Sequence, residues 1–278
     1  MTGQRPHRDQ QLLATVASAT RALDTQWAAL IAAQRTVVAE MATAARRRRR
    51  PTEASRAALA DFTAALARFD THAHALAERW AAADLAAAYR TGAEAALARA
   101  VLTPHRERPA FHWSASHQRV LADVTASLYP VLVQRVTETV RRAQAFVRAV
   151  QAAARSPAAA RTEDLAAEHR LETVVYANDR HHPVRAWAHA ALTAQAVMAA
   201  NAGALTATHQ DLGARWVQVI DGPECGWTSH PELDRAHDTL RSVEQAAAWP
   251  IAHPGCLRQF IPRPDLNDDP TIEEGQSL

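Results

Sequence analysis

The sequence predicts a mainly α protein, in which long antiparallel helices form an αα-hairpin resembling a coiled coil and a small α+β module follows at the C-terminal end. Three observations predict it. Residues 12–46 contain neither glycine nor proline and repeat apolar positions at alternating steps of four and three. The stretch from Thr52 repeats the same rule. Beyond residue 200 the texture changes, because six of the eight glycines and seven of the fourteen prolines lie there.

In the first helix the seam is Val16, Thr20, Leu23, Trp27, Leu30, Gln34, Val37 and Met41. Arg46, Arg47, Arg48, Arg49 and Arg50 then precede Pro51, a cationic helix end followed by a residue that cannot continue the helix. Thr52 is placed to cap the second helix, whose seam is Leu59, Phe62, Leu66, Phe69, Ala73, Leu76, Trp80 and Ala83 and which can run to Leu102. The short connection makes the two helices antiparallel neighbours, about 50 Å long at about 1.5 Å per residue. The periodicity makes Trp27 and Trp80 core residues rather than a platform for stacking bases.

After a break at Thr103–Pro109, a third helix is expected over Ser114–Arg155, with Leu121, Val124, Leu128, Leu132, Val136, Val140 and Val147 as its apolar line and a kink at Pro130. Helices are expected again over Thr162–Ala177 and Val184–Ala202, separated by a polar turn at Asn178–Pro183. Residues 215–220 and 258–262 read as partner strands. Residues 241–249 read as a short helix with Ser242 and Gln245 as a capping box. The segments are therefore a long helical hairpin over 1–110, a kinked long helix over 111–160, a C-terminal module over 161–264 and an acidic flexible tail over 265–278.

Composition narrows the function classes. All 31 basic residues are arginine, which with the alanine excess reads as coding bias, and a chain without lysine has no Schiff-base or lysine-nucleophile chemistry. A formal net charge of +2 does not mark a protein that coats nucleic acid. The first thirteen residues lack the apolar core of a secretory signal, and no run of about 18 apolar residues occurs, so neither secretion by that route nor a membrane span is expected. No HExxH, GxSxG or phosphate-loop pattern is present, and the expectation is a protein that is not an enzyme.

The candidate chemistry sits in the C-terminal module. Cys225 and His230 are spaced C-x4-H, His253 and Cys256 are spaced H-x2-C, and 22 residues separate the pairs. Two ligand pairs on separate turns are how small zinc sites are built, and thiolate with imidazole favours Zn²⁺ over Mg²⁺ or Ca²⁺. Such a Cys₂His₂ set is coordinatively closed and would staple a domain with a small core. Asp221, Asp234 or His237 could substitute as ligands. The alternative uses of these residues are a single disulfide, or thiols as small buried apolar groups with histidines that cap or hydrogen-bond. The remaining histidines, His72, His74, His181 and His182 among them, read as surface or cap residues.

The run from Trp216 to His230, then TrpProIleAlaHisProGlyCys over 249–256 and ArgGlnPheIlePro over 258–262, resembles the C-terminal module of the Mu F-like minor head proteins of tailed phages, most closely their actinobacterial branch. The preceding ValValTyrAlaAsnAspArgHisHisPro fits the same module, so the likeness covers roughly residues 170–264. It implies a structural minor capsid (head morphogenesis) protein inside the virion. Such a protein associates with portal and major capsid proteins, and possible further partners are packaged double-stranded DNA and a second copy of itself. Before assembly it would lie in the host cytoplasm. That family usually carries two close thiols at its first cysteine position; here Cys225 stands without a second, and His230 would have to fill the vacancy.

Two other readings belong to different classes. Arg46 to Arg50 could neutralise DNA phosphates in a zinc-containing DNA-binding protein with a coiled-coil oligomerisation arm. A metal-dependent nuclease built on His253 and Pro254 would need a further metal-binding side chain on a following helix, yet no histidine follows His253.

Overall fold

A computed structural model describes residues 7–46, 52–155, 162–175, 181–221, 225 and 234–277. The elements in chain order are α1 (His7–Arg46), α2 (Glu53–Arg79), a π-helical turn (Trp80–Asp84), α3 (Leu85–Arg99), α4 (Ala115–Arg155), α5 (Thr162–Glu168), β1 (Thr173–Val175), β2 (His181–Pro183) and α6 (Val184–Thr206). A second π-helical turn (Ala207–Asp211), β3 (Trp216–Ile220), β4 (Leu240–Ser242), α7 (Val243–Ala248), β5 (Gln259–Pro262) and a 3₁₀ turn (Pro264–Leu266) complete it. The chain is mainly α with a small antiparallel sheet near its C-terminal end, the fold class the sequence predicts. No helix of the described residues is long and apolar enough to cross a membrane.

Two compact units are present, each drawn from separated stretches: Ala19–Glu78 with Pro130–Ala188, and Met1–Ser18 with Arg79–Tyr129 and His189–Leu278. In the first, the seam of α1 is the buried face, with Leu23, Trp27, Leu30 and Val37 nearly inaccessible. Trp27 packs edge-on against Phe69 of α2 at 4.9 Å, and Phe62 against Phe146 of α4 at 5.1 Å. Thr52 caps α2, its Oγ1 accepting from the Ser55 amide at 3.2 Å.

The helix expected over Thr162–Ala177 stops at Glu168 instead, and Thr173–Val175 pairs antiparallel with His181–Pro183. Two tertiary bonds explain the stop. The carbonyl of His169 accepts from Gln34 Nε2 at 2.7 Å and that of Leu171 from Trp27 Nε1 at 3.0 Å. The β-branched Thr173, Val174 and Val175 then favour extended backbone.

In the second unit α3 and α6 touch through their backbones. A methyl group on Gly92 would collide with the Ala200 carbonyl, and one on Gly203 with the Tyr89 carbonyl. Gly92→Ala is therefore expected to destabilise by about 1–3 kcal/mol, the cost of overpacking, although alanine is the better helix former. A thermal melt that rises or stays unchanged for this variant would contradict the close approach.

The π-helical turn at Trp80–Asp84 corrects one seam position: Ala83 is exposed, and burial passes from Trp80 to Leu85 because the wider turn inserts an extra residue. Below it lies a buried polar chain in which Tyr89 Oη meets His117 Nδ1 at 2.9 Å and His117 Nε2 meets Asp211 Oδ2 at 3.1 Å. His117 is thus a core residue, not a surface or cap histidine. Burial, outweighing a hydrogen bond to Thr206, pushes the Tyr89 hydroxyl up to about 12.

The sheet has the order β4-β3-β5, all antiparallel, with Val217 and Val219 of β3 buried beside Leu205, Ala246 and Phe260. The strand pair expected from the sequence is β3 and β5; β4 was not foreseen. Ser242 caps α7 as expected, accepting from the Gln245 amide at 3.2 Å. The tail expected to be flexible is tied down instead. Leu240 donates to the Gln276 carbonyl at 2.9 Å and accepts from Gly275 at 2.8 Å, and Thr239 bridges Ser277. Edge strand β4 offers unpaired backbone groups, and the tail satisfies them.

Candidate metal centre

Two structural punctuations place the cysteines. β3 ends at Ile220, and the chain leaves the sheet through Asp221 toward Cys225. On the other side α7 ends at Ala248, and residues 253–256 close a tight turn in which the Cys256 amide donates to the His253 carbonyl at 2.9 Å. Pro254 and Gly255 occupy its central positions, Gly255 at φ +95°, which is the residue pattern of a type II turn. A four-residue turn sets its first and last side chains beside each other, which is why His253 and Cys256 stand three apart around ProGly.

The turn meets Cys225. The Cys225 and Cys256 sulfurs are 3.2 Å apart, His253 Nε2 is 3.2 Å from Cys225 Sγ, and the three ligand atoms all lie within 4.8 Å of one another. Both cysteines are buried, with Ala252 and Ile251 packed around them, and no disulfide joins them. His253 Nδ1 lies 3.0 Å from the Pro254 carbonyl, a contact that leaves Nε2 as the atom facing the sulfurs. A hydrogen bond from Cys225 holds the Cys256 thiol down to about 6, against the raising effect of burial and with help from backbone groups of Ala252 and Arg258. Two thiols and an imidazole nitrogen gathered this closely form a soft donor set that can hold a transition metal.

Of the four ligands expected, three converge, and His230 lies outside the described residues. Asp221, Asp234 and His237 do not join the cluster, because other partners hold them. The Arg258 guanidinium donates from Nε to Asp221 Oδ1 at 2.5 Å, from Nη2 to Asp221 Oδ2 at 3.1 Å and from Nη1 to Asp234 Oδ2 at 2.5 Å. His237 Nδ1 accepts from the Asp221 amide at 3.1 Å. Arg258 also donates to the Trp249 carbonyl at 2.9 Å, so the arginine two residues beyond Cys256 clamps the strand end before Cys225 to the segment entering the His253 turn. Burial alone would lower the Arg258 pKa; the hydrogen bonds and charges of Asp221 and Asp234 outweigh it and hold the guanidinium more firmly protonated than usual.

Behind the clamp, Arg8 of α1 donates to the Arg258 carbonyl at 3.1 Å and to Asn201 Oδ1 at 2.7 Å, while Asn201 Nδ2 donates to the Pro250 carbonyl at 2.7 Å. Neither Arg258 nor Arg8 stood out in the sequence as a site residue. The signal available was an arginine and two aspartates flanking the cysteine turns, within a chain where arginine is common. Of the five arginines read as phosphate contacts, Arg46 is exposed at the end of α1 and donates to Thr43 Oγ1 at 3.3 Å. Arg47, Arg48, Arg49 and Arg50 lie outside the described residues.

Comparison with models of known families, with curated proteins and with solved structures finds no match to this chain.

Proposed function

We propose that this chain is a structural, zinc-stapled minor capsid protein of a tailed phage or related particle, acting inside the head at the portal in head assembly or in DNA packaging and delivery. The observation that carries the reading is the convergence of Cys225, His253 and Cys256 within 4.8 Å, since these lie in the two stretches that resemble the Mu F-like minor head module. Cys225, Cys256 and His253 would hold the metal, with His230 as the fourth ligand. Bound zinc supplies a cross-link between two turns, and with four protein ligands no open position remains for chemistry. No catalytic role is assigned.

The residues around the cluster suit a staple. The flanking strands have only three to five residues each, and their core is one small group of side chains around Val217, Val219 and Phe260. A module with so little apolar surface gains directly from a bound ion. In assembly the module would serve as a rigid adaptor, and the helical seams would dock against portal or major capsid subunits.

Two measurements test this. Elemental analysis of the purified full-length chain is expected to find one zinc per molecule, and electron microscopy of the assembled particle is expected to place the chain inside the head at the portal. Metal-free protein that keeps its fold sinks the staple; particles that lack the chain sink the capsid role.

A further inference from the structure

Helices α4 and α6 run antiparallel where they meet in the unit that holds the candidate metal centre. Asp211, just past α6, binds His117 at one end, and Gln195 Nε2 donates to the Leu128 carbonyl at 3.0 Å at the other. α7 and Pro250 form a third wall, leaving a groove of about 450 Å³. Its apolar surface comes from Val120 and Val124 of α4, Met198 and Leu205 of α6, and Val243 and Ala247 of α7. Along α4 the lining runs from Ser116 to Ser127, about 16 Å at 1.5 Å per residue, or three helical turns.

The polar groups are not spread evenly. Arg119, His209 and Gln210 gather at the end of the groove near the His117 contact, and the lining includes no carboxylate. Among the described residues Arg119 makes no hydrogen bond or ion pair, and Arg119, His209 and Gln210 are exposed. Trp249, next in the chain to the lining residue Pro250, leaves 41% of its surface exposed, the kind of aromatic anchor that partner surfaces favour.

We propose that this groove receives an amphipathic helix of a partner protein, apolar toward the groove and carrying aspartate or glutamate at the end that meets Arg119 and His209. The walls are helices whose backbone groups are already paired, so an extended strand would find no ladder to join. A helix is recognised instead through side chains at spacings such as i, i+4 and i+7 lying in the valley between two others. Arg119, without an ion-pair partner among the described residues and in a lining that holds no carboxylate, sets the sign of the charge on the occupant. The inference stands apart from the metal reading, because no groove residue is a member of the cysteine cluster.

The test uses the full chain and two fluorescein-labelled 16-residue helical peptides with leucine at i, i+4, i+7 and i+11. One carries glutamates at one end, and the other carries lysines at the same positions. Fluorescence anisotropy at low ionic strength is expected to show the acidic peptide binding at least tenfold more tightly. Arg119→Glu is expected to reverse the order, and Val124→Glu to abolish both. Arg119 is exposed, so its variant keeps the test open should Val124→Glu lose its fold. Equal affinities, or binding unaffected by Arg119→Glu, overturns the proposal. So does sedimentation showing the groove buried between two copies of the chain, or binding of dodecanoate with neither peptide bound.

Discussion

Replacing Arg258 with methionine is expected to cost about 3–5 kcal/mol of stability, the range for removing one partner of a buried ion pair. The side chain is 1% exposed, and its two carboxylate partners, Asp221 and Asp234, are 3% and 9% exposed. The consequences for the two acids differ. Asp234 keeps Arg241, whose Nη2 lies 2.6 Å from Asp234 Oδ1, whereas the Asp221 carboxylate loses both of its hydrogen bonds from Arg258. The damage should therefore concentrate at Asp221. Adding Asp221→Asn to Arg258→Met is expected to restore part of the loss by removing the uncompensated charge, whereas Asp234→Asn should restore less. Urea denaturation followed by circular dichroism and intrinsic fluorescence reads the wild type, the three single variants and the two double variants. A loss under about 1 kcal/mol for Arg258→Met, or double variants that are simply additive, would mean that the triad does not hold the module together.

The helical part of this architecture was legible because burial leaves a periodic mark. Every seam position of α1 from Val16 to Val37 is buried, including the polar Thr20 and Gln34. What periodicity cannot show is a change of period, so the π-helical turn that exposes Ala83 and buries Leu85 was missed. β1 escaped notice because three β-branched residues follow a good helix former, and what ends the helix is a pair of tertiary bonds from Trp27 and Gln34. At the candidate site the HisProGlyCys turn could be read locally, since proline and glycine have defined backbone preferences. Arg258 could not. Its partners lie 37 and 24 residues away, and a chain whose only cation besides histidine is arginine gives one arginine no contrast with the rest.

Removing the proposed zinc ion is expected to destabilise the C-terminal module by about 4 kcal/mol where the site is filled at a thousand times its dissociation constant, because an ion that binds only the folded chain stabilises it by mass action. Addition of a chelator to the native protein should lower its melting temperature, and restored zinc should return it. Cys225→Ser and Cys256→Ser should each lose the metal and become insensitive to chelator. The double variant should be scarcely worse than either single one, because the ion can be lost only once. Buried thiols that act merely as small apolar groups behave differently: their losses add, and chelator does nothing. His253 separates the two cases further. Its ring contributes a ligand atom, while the turn's backbone bond from the Cys256 amide to the His253 carbonyl does not involve that ring. His253→Ala should then abolish zinc binding while leaving the turn intact, so its chelator response should match the cysteine variants. A His253→Ala protein that retains stoichiometric zinc would remove the imidazole from the ligand set and leave two thiols as its only members among the described residues.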